Sequence, residues 1–211
     1  MNGLYAIIDA ETLVAAGLDV LRFAEAVLRA RPAAMQLRFK RRDARTHLEL
    51  LRALAPRCDS ASVPLFGNDR ADLALLAGCR GVHVGQHDVP PTAVRELAEA
   101  TGAADFLIGM SVHNDEELQV AVAERPDYIA IGPVFATRSK ADPDPTLGPN
   151  GLAELARVVR ERTGLPRVAI GGIGISTVGA VAPHCEMAAV IGALVEPQSA
   201  DPYRAATERA R

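Results

Sequence analysis

The sequence of 211 residues contains no tryptophan, three tyrosines, five phenylalanines and three cysteines. With aromatic residues at 4% and hydrophobic residues at 49%, the interior has to be built from Val, Ile, Leu and Ala. That composition suits strands buried on both faces of a parallel sheet. Cys58, Cys79 and Cys185 are odd in number and far apart, with no CxxC pair, which argues against a disulfide framework or a zinc cage and for a reducing compartment. No run approaches the roughly 18 apolar residues of a membrane-spanning helix, and no basic leader precedes the first apolar segment. A formal net charge of −3 gives no electrostatic reason to expect nucleic acid or an anionic membrane as partner. The expectation is a cytoplasmic protein that acts on small molecules, with a homo-oligomer left open.

What the chain does have is a polar stretch where a buried strand should end. Ala33-Ala34-Met35 approaches Gln36-Leu37-Arg38-Phe39-Lys40, and a charged, helix-like segment follows from Arg41. Side chains alternate along a strand, so Gln36, Arg38 and Lys40 share one face, with Leu37 and Phe39 opposite. Two cations and an amide are costly to bury unless each is paired. A polar or anionic ligand would supply the pairing, Arg offering a planar fork suited to phosphate and Lys a point charge. An exposed edge strand with a basic stripe has the same pattern.

Short apolar runs recur along the chain, at 4–8, 33–38, 63–66, 81–84, 106–111, 128–131, 167–170 and 187–191. Between and after them stand segments of helical character at 19–30, 43–57, 71–76, 91–101, 115–124, 151–162, 176–182 and 201–211. The first of these has apolar residues at Val20, Phe23, Ala24, Val27 and Leu28, close to a 3.6 period. Eight strands alternating with eight helices predict an α/β fold, a single-domain (β/α)8 TIM barrel over residues 1–211. An open doubly wound sheet shares the alternation, but no strand here is followed by GxGxxG. The longest irregular piece, 132–149, holds four prolines, and long loops in compact domains are more often functional than accidental.

In such barrels the active site sits at the C-terminal ends of the strands. Gathered there are Gln36, Arg38 and Lys40; Asn68 and Asp69; Gln86 and Asp88; Ser111 and His113; Thr137 and Lys140; Gly171 and Gly172; and Ile191 and Gly192. Asp69 and Asp88 follow neighbouring strands, and such a pair suits Mg2+, which takes one or two carboxylates and fills its other positions with water and phosphate oxygens. A diphosphate would then lie between the metal and Arg38, Lys40 and Lys140. Either aspartate could instead cap the helix that follows it. The turn Gly171-Gly172-Ile173-Gly174 and the strand end at Ile191-Gly192 occupy the usual barrel phosphate site. His113 could act as a base or be a hydrogen-bonded loop residue; His83, within a strand, reads as an interior residue, and His47, His87 and His184 carry no evident role.

Five segments together resemble the thiamine-phosphate synthase family. They are Gln36-Leu37-Arg38-x-Lys40, Asn68-Asp69-Arg70-x-Asp72-Leu73-Ala74 and Gly81-Val82-His83-Val84-Gly85-Gln86-x-Asp88-Val89-Pro90. Further on stand Asp127-Tyr128-Ile129-x-Ile131-Gly132-Pro133-Val134-Phe135-x-Thr137-x-Ser139-Lys140 and Ala169-Ile170-Gly171-Gly172-Ile173. The resemblance implies a Mg2+-dependent transferase that moves an aminopyrimidine methyl group from its diphosphate to the nitrogen of a thiazole phosphate. The products would be thiamine phosphate and diphosphate, with loss of carbon dioxide where the thiazole carries a carboxylate. It further implies that Arg38, Lys40, Asn68 and Lys140 hold the diphosphate, that Asp69 and Asp88 hold Mg2+, and that Gln36 and Ser111 contact the pyrimidine. Thr137, Arg138, Ser139, Gly172, Ile191 and Gly192 match the thiazole-phosphate positions; Arg38, Lys40, Lys140 and Ser111 are the implied catalytic set.

The chain departs from the family pattern in places. Gly192 stands where a hydroxyl residue is frequent, Phe66-Gly67 where an aliphatic pair is common, and His87 replaces a frequent acidic residue. Met110, Val112 and His113 around Ser111 are similar to the related thiazole tautomerases, which use a histidine at this position and usually lack the full diphosphate and metal set. Two alternatives follow: a thiazole tautomerase using His113, or a non-catalytic protein that binds a thiamine precursor and regulates a partner.

Overall fold

The computed structural model describes residues 2–40, 43–137, 139 and 144–195. Eight parallel strands close into a barrel in chain order. They are β1 (Gly3–Asp9), β2 (Ala34–Arg38), β3 (Leu65–Asn68), β4 (Gly81–Val84), β5 (Leu107–Val112), β6 (Tyr128–Ile131), β7 (Arg167–Ile170) and β8 (Met187–Val190). Closure comes from β8 pairing with β1, Gly3 opposite Met187 and Ala6 opposite Val190. Around the strands run α1 (Ala10–Ala15), α2 (Val20–Leu28), α3 (Ala44–Ala61), α4 (Ala71–Leu76), α5 (Pro91–Ala100), α6 (Asp115–Glu124), α7 (Gly148–Thr163) and α8 (Val178–Val181). This is the (β/α)8 TIM barrel that the alternation predicts.

Strand parity sorts the apolar residues into two layers. Ala6 and Ile8 of β1 face the helices, together with Leu37, Ile108 and Ile129. Tyr5 and Ile7 face the barrel axis, with Phe66, Tyr128, Val168 and Met187. Three aromatic rings plug that axis: Tyr5, Phe66 and Tyr128 pack with centroids 5.7–6.0 Å apart. Gly109 makes the room, since a Cβ there would lie 1.9 Å from Cζ of Tyr128. Beyond the plug, a cavity opens at the C-terminal ends of the strands.

Three details differ from the sequence expectation. A short helix, α1, follows β1 directly, and Asp9 caps it by accepting from the Thr12 N–H at 2.9 Å; six residues are too few to show a period. Helix α3 continues through Pro56 to Ala61 rather than ending near Arg57, because Cys58 prolongs the buried stripe of Leu51, Leu54 and Ala55. Helix α7 starts at Gly148, three residues earlier than expected. The expected last helix at 201–211 lies outside the described residues. Among the described residues no helix is long and apolar enough to cross a membrane.

Candidate active site at the C-terminal mouth of the barrel

The basic strand end behaves as alternation requires. Leu37 is buried against the helices and Phe39 stacks on His47 of α3, ring centroids 5.3 Å apart. Gln36, Arg38 and Lys40 all line one cavity of about 670 Å³ at the barrel mouth. The exposed-edge alternative falls, since β2 is paired on both sides, with β1 and with β3.

Arg38 and Lys40 are each held by a carboxylate neighbour. Arg38 pairs with Asp9, its register partner on β1, and its Nη2 donates to the Ser139 carbonyl at 3.0 Å. Asp9 is 4% exposed, so the guanidinium compensates a buried carboxylate while Arg38 still lines the cavity. Lys40 Nζ lies 2.5 Å from Asp69 Oδ2. Burial raises the Asp69 carboxyl above its ordinary range; Lys40 draws it back, and the adjoining Asp88 pushes it up further.

Neither aspartate caps a helix. Arg70 and Pro90 occupy the N-cap positions of α4 and α5 without side-chain caps. Asp69 instead holds a left-handed backbone, φ +61°, with its N–H bonded to the His83 carbonyl at 2.8 Å. Asp88 accepts from the Gly85 N–H at 2.8 Å. Two adjoining carboxylates, one desolvated and raised by the other, fit a divalent cation that relieves the repulsion. Among the described residues no group of three or more His, Cys, Asp or Glu is arranged to hold a metal ion by itself. A pair of carboxylates without a cage is the donor set that Mg2+ takes when phosphate and water complete its shell. Beside them Asn68 is 7% exposed, and its Nδ2 is buried without a protein partner, a donor placed to meet an anion.

The opposite wall is backbone. Gly171 and Gly172 have φ of +98° and +63°, and a Cβ on Gly172 would lie 2.4 Å from the Ala136 carbonyl. Only glycine lets this turn press against the segment after β6. Gly172, Ile191, Gly192, Thr137 and Ser139 line the same cavity, and the Ser139 N–H bonds the Thr137 hydroxyl at 3.2 Å. A Cβ on Gly192 would meet nothing within 4 Å. Arg138 and Lys140 lie outside the described residues.

The histidines divide. His113 lines the cavity with Nδ1 2.6 Å from Glu117 Oε2 and Nε2 3.2 Å from Asp144 Oδ2. His83 is interior as expected, yet both ring nitrogens are bonded: Nδ1 lies 3.0 Å from the Tyr128 hydroxyl and Nε2 2.8 Å from Ser111 Oγ. Burial pushes its imidazole down to about 4. Gln86 Nε2 donates to the Ser111 carbonyl at 2.6 Å. Sequence reasoning passed over Asp9, Tyr5, Tyr128 and Glu117. Counting by two from Asp9 through Ile7 to Tyr5 was the available signal, since it puts a carboxylate and a phenol on the axial face.

Comparison with known proteins agrees in extent with this geometry. The family model described as thiamine monophosphate synthase matches residues 4–194. A thiamine-phosphate synthase of Koribacter versatilis is 43% identical over 176 residues, covering 81% of this chain and 77% of that one. Another, from Anaeromyxobacter dehalogenans, is 41% identical over 207 residues and covers 98% and 85%. Among solved structures, thiamine phosphate pyrophosphorylase from Pyrococcus furiosus superimposes with a TM-score of 0.80 at 28% identity, covering 98% of this chain and 92% of that one.

Proposed function

The chain belongs to the thiamine monophosphate synthase family, and we propose that it joins a hydroxymethylpyrimidine diphosphate to a thiazole phosphate, yielding thiamine phosphate and diphosphate. The observation that carries this is the convergence of Arg38, Lys40, Asn68, Asp69 and Asp88 on one wall of a cavity whose other wall is the glycine turn at 171–172. One wall suits a diphosphate and the other a monophosphate, as a two-substrate transfer requires.

Asp69 and Asp88 would hold Mg2+, which would supply charge neutralisation to the leaving diphosphate. Arg38 and Lys40 stabilise the same growing negative charge by donating to its oxygens, and Asn68 Nδ2 adds a neutral donor. Lys140, by family resemblance, adds a third cation. Departure of the diphosphate leaves a pyrimidinylmethyl cation, and the thiazole nitrogen captures it. The N–H groups of the 171–172 turn and of Gly192 orient the thiazole phosphate, with Thr137 and Ser139 lining the same cavity; Arg138 joins them by family resemblance alone. Water would intercept the cation, and Gly132, Pro133, Ala136 and Thr137, which line the cavity after β6, would help to exclude it. The transfer needs little acid–base work.

The thiazole tautomerase alternative draws less support from the site. A tautomerase needs a free nitrogen on His113, and both are engaged, by Glu117 and Asp144. One incubation separates the possibilities: the two precursors with Mg2+, analysed for thiamine phosphate. A transferase forms it, a tautomerase only isomerises the thiazole carboxylate, and a binding protein does neither.

A further inference from the structure

Beneath the cavity runs a chain of side-chain hydrogen bonds that the transfer steps leave unused. Gln36 Nε2 on β2 donates to the Tyr5 hydroxyl on β1 at 3.0 Å. Tyr5 lies 2.9 Å from the Tyr128 hydroxyl on β6, which lies 3.0 Å from His83 Nδ1 on β4. His83 Nε2 then reaches Ser111 Oγ on β5 at 2.8 Å. Five strands contribute one residue each. The two ends, Gln36 and Ser111, line the cavity; Tyr5 and Tyr128, at the middle, are 2% and 3% exposed.

Proton counting gives the chain a direction. A phenol has one proton to donate. Tyr5 receives from Gln36, so its own proton satisfies a buried partner only by going to Tyr128, and Tyr128 then donates to His83 Nδ1. An imidazole that accepts at Nδ1 and is neutral carries its proton on Nε2. That proton goes to Ser111 Oγ, which leaves the serine proton free for the cavity. At the far end, Gln36 has committed an amide N–H downward and retains Oε1 as its acceptor.

We propose that this polarised chain holds His83 as the Nε2–H tautomer, so that Ser111 meets the ligand as a donor and Gln36 meets it as an acceptor. His83, Tyr128 and Tyr5 are positioning residues that set which heterocycle the site takes. An amino-substituted pyrimidine matches, its amino N–H facing Gln36 and a ring nitrogen facing Ser111. The corresponding oxo-pyrimidine presents a carbonyl and a ring N–H, the reverse pattern, and would leave Gln36 Oε1 and the Ser111 proton without partners. The direction of the chain follows from Gln36 Nε2, rather than Oε1, facing the Tyr5 hydroxyl; the identity of the ring rests on the proposed transfer.

The test is a two-bond proton–nitrogen correlation spectrum of the ligand-free, 15N-labelled protein, with His83 assigned by comparison with Tyr128→Phe. The Nε2–H pattern for His83 supports the proposal. The Nδ1–H pattern, or an even mixture, overturns it whatever the protein catalyses. A second arm compares the amino- and oxo-pyrimidine diphosphates as competing ligands. The oxo compound should bind at least about tenfold more weakly to the wild type, and Tyr5→Phe should narrow that gap while leaving KM for thiazole phosphate unchanged. A gap equal in the two proteins, or a matching loss for both substrates, would mean that the chain is merely structural. If the tautomer is as stated but no thiamine phosphate forms, the transfer fails and the polarised chain stands.

Discussion

Arg38 Nη2 donates to the main-chain oxygen of Ser139 at 3.0 Å, tying the end of β2 to the segment that follows β6. The same guanidinium is braced from beneath by Asp9. Asp9 therefore has two duties, since its other oxygen caps α1 through the Thr12 N–H. Asparagine keeps the cap and loses the charge; alanine loses both. Asp9→Asn should lower kcat/KM about tenfold or more, in line with roughly 1.5–3 kcal/mol for charge-assisted hydrogen bonds, and Asp9→Ala should lower Tm further than Asp9→Asn does. Steady-state kinetics with thermal melts reads both, and wild-type activity in Asp9→Asn would refute the brace.

The two glycines on the phosphate wall should respond in opposite ways. Gly172→Ala forces a methyl to 2.4 Å from the Ala136 carbonyl at a φ of +63° and should raise KM for thiazole phosphate at least about tenfold. Gly192 faces open space, so Gly192→Ser adds a hydroxyl without a clash and should lower that KM by about two- to fivefold. Titration of each variant with thiazole phosphate decides it; losses in both would mean that no phosphate sits between them.

Asp69 and Asp88 lend themselves to a metal titration. Asparagine tolerates the left-handed backbone at 69, so Asp69→Asn removes charge with little strain. Loss of either carboxylate should cut turnover on the order of 100-fold and raise the Mg2+ concentration needed for half-maximal rate. An unchanged Mg2+ dependence in both variants would remove the metal from this pair.

The thiols provide a pH-dependent check on the fold. Burial pushes Cys58, Cys79 and Cys185 up to about 12. The reactive thiolate then amounts to roughly one part in ten thousand at pH 8 and grows only as pH climbs toward 12. Labelling by a thiol reagent at pH 8 should be slow in the folded protein and rapid for all three cysteines in denaturant. Rapid stoichiometric labelling without denaturant would contradict the packing of α3 and β8.

The barrel was legible because strands buried on both faces read as unbroken apolar runs, and helices with one buried stripe do not. The grouping of Arg38, Lys40, Asp69 and Asp88 followed from knowing which end of each strand carries loops. Less could be read where one side chain does two things. Asp9 looked like the end of an apolar run, whereas it caps α1 and braces Arg38. Tyr5 and Tyr128 looked like core residues, which they are, and their hydroxyls pair across the barrel, from β1 to β6, between strands 123 residues apart in sequence. No local pattern announces such a bond; it appears only once closure brings the axial faces together. Helix α1 escaped notice because its signal is a cap rather than a period.

In the proposed reaction the cations and carboxylates at the barrel mouth release a diphosphate so that two substrates can join. The decisive experiment is to incubate the protein with the pyrimidine diphosphate, thiazole phosphate and Mg2+ and to quantify both products. Thiamine phosphate and diphosphate should form in equal amounts, and both should be lost together in Arg38→Ala and Lys40→Ala. Absence of thiamine phosphate from the wild-type reaction, or full activity in those two variants, would contradict the proposed reaction.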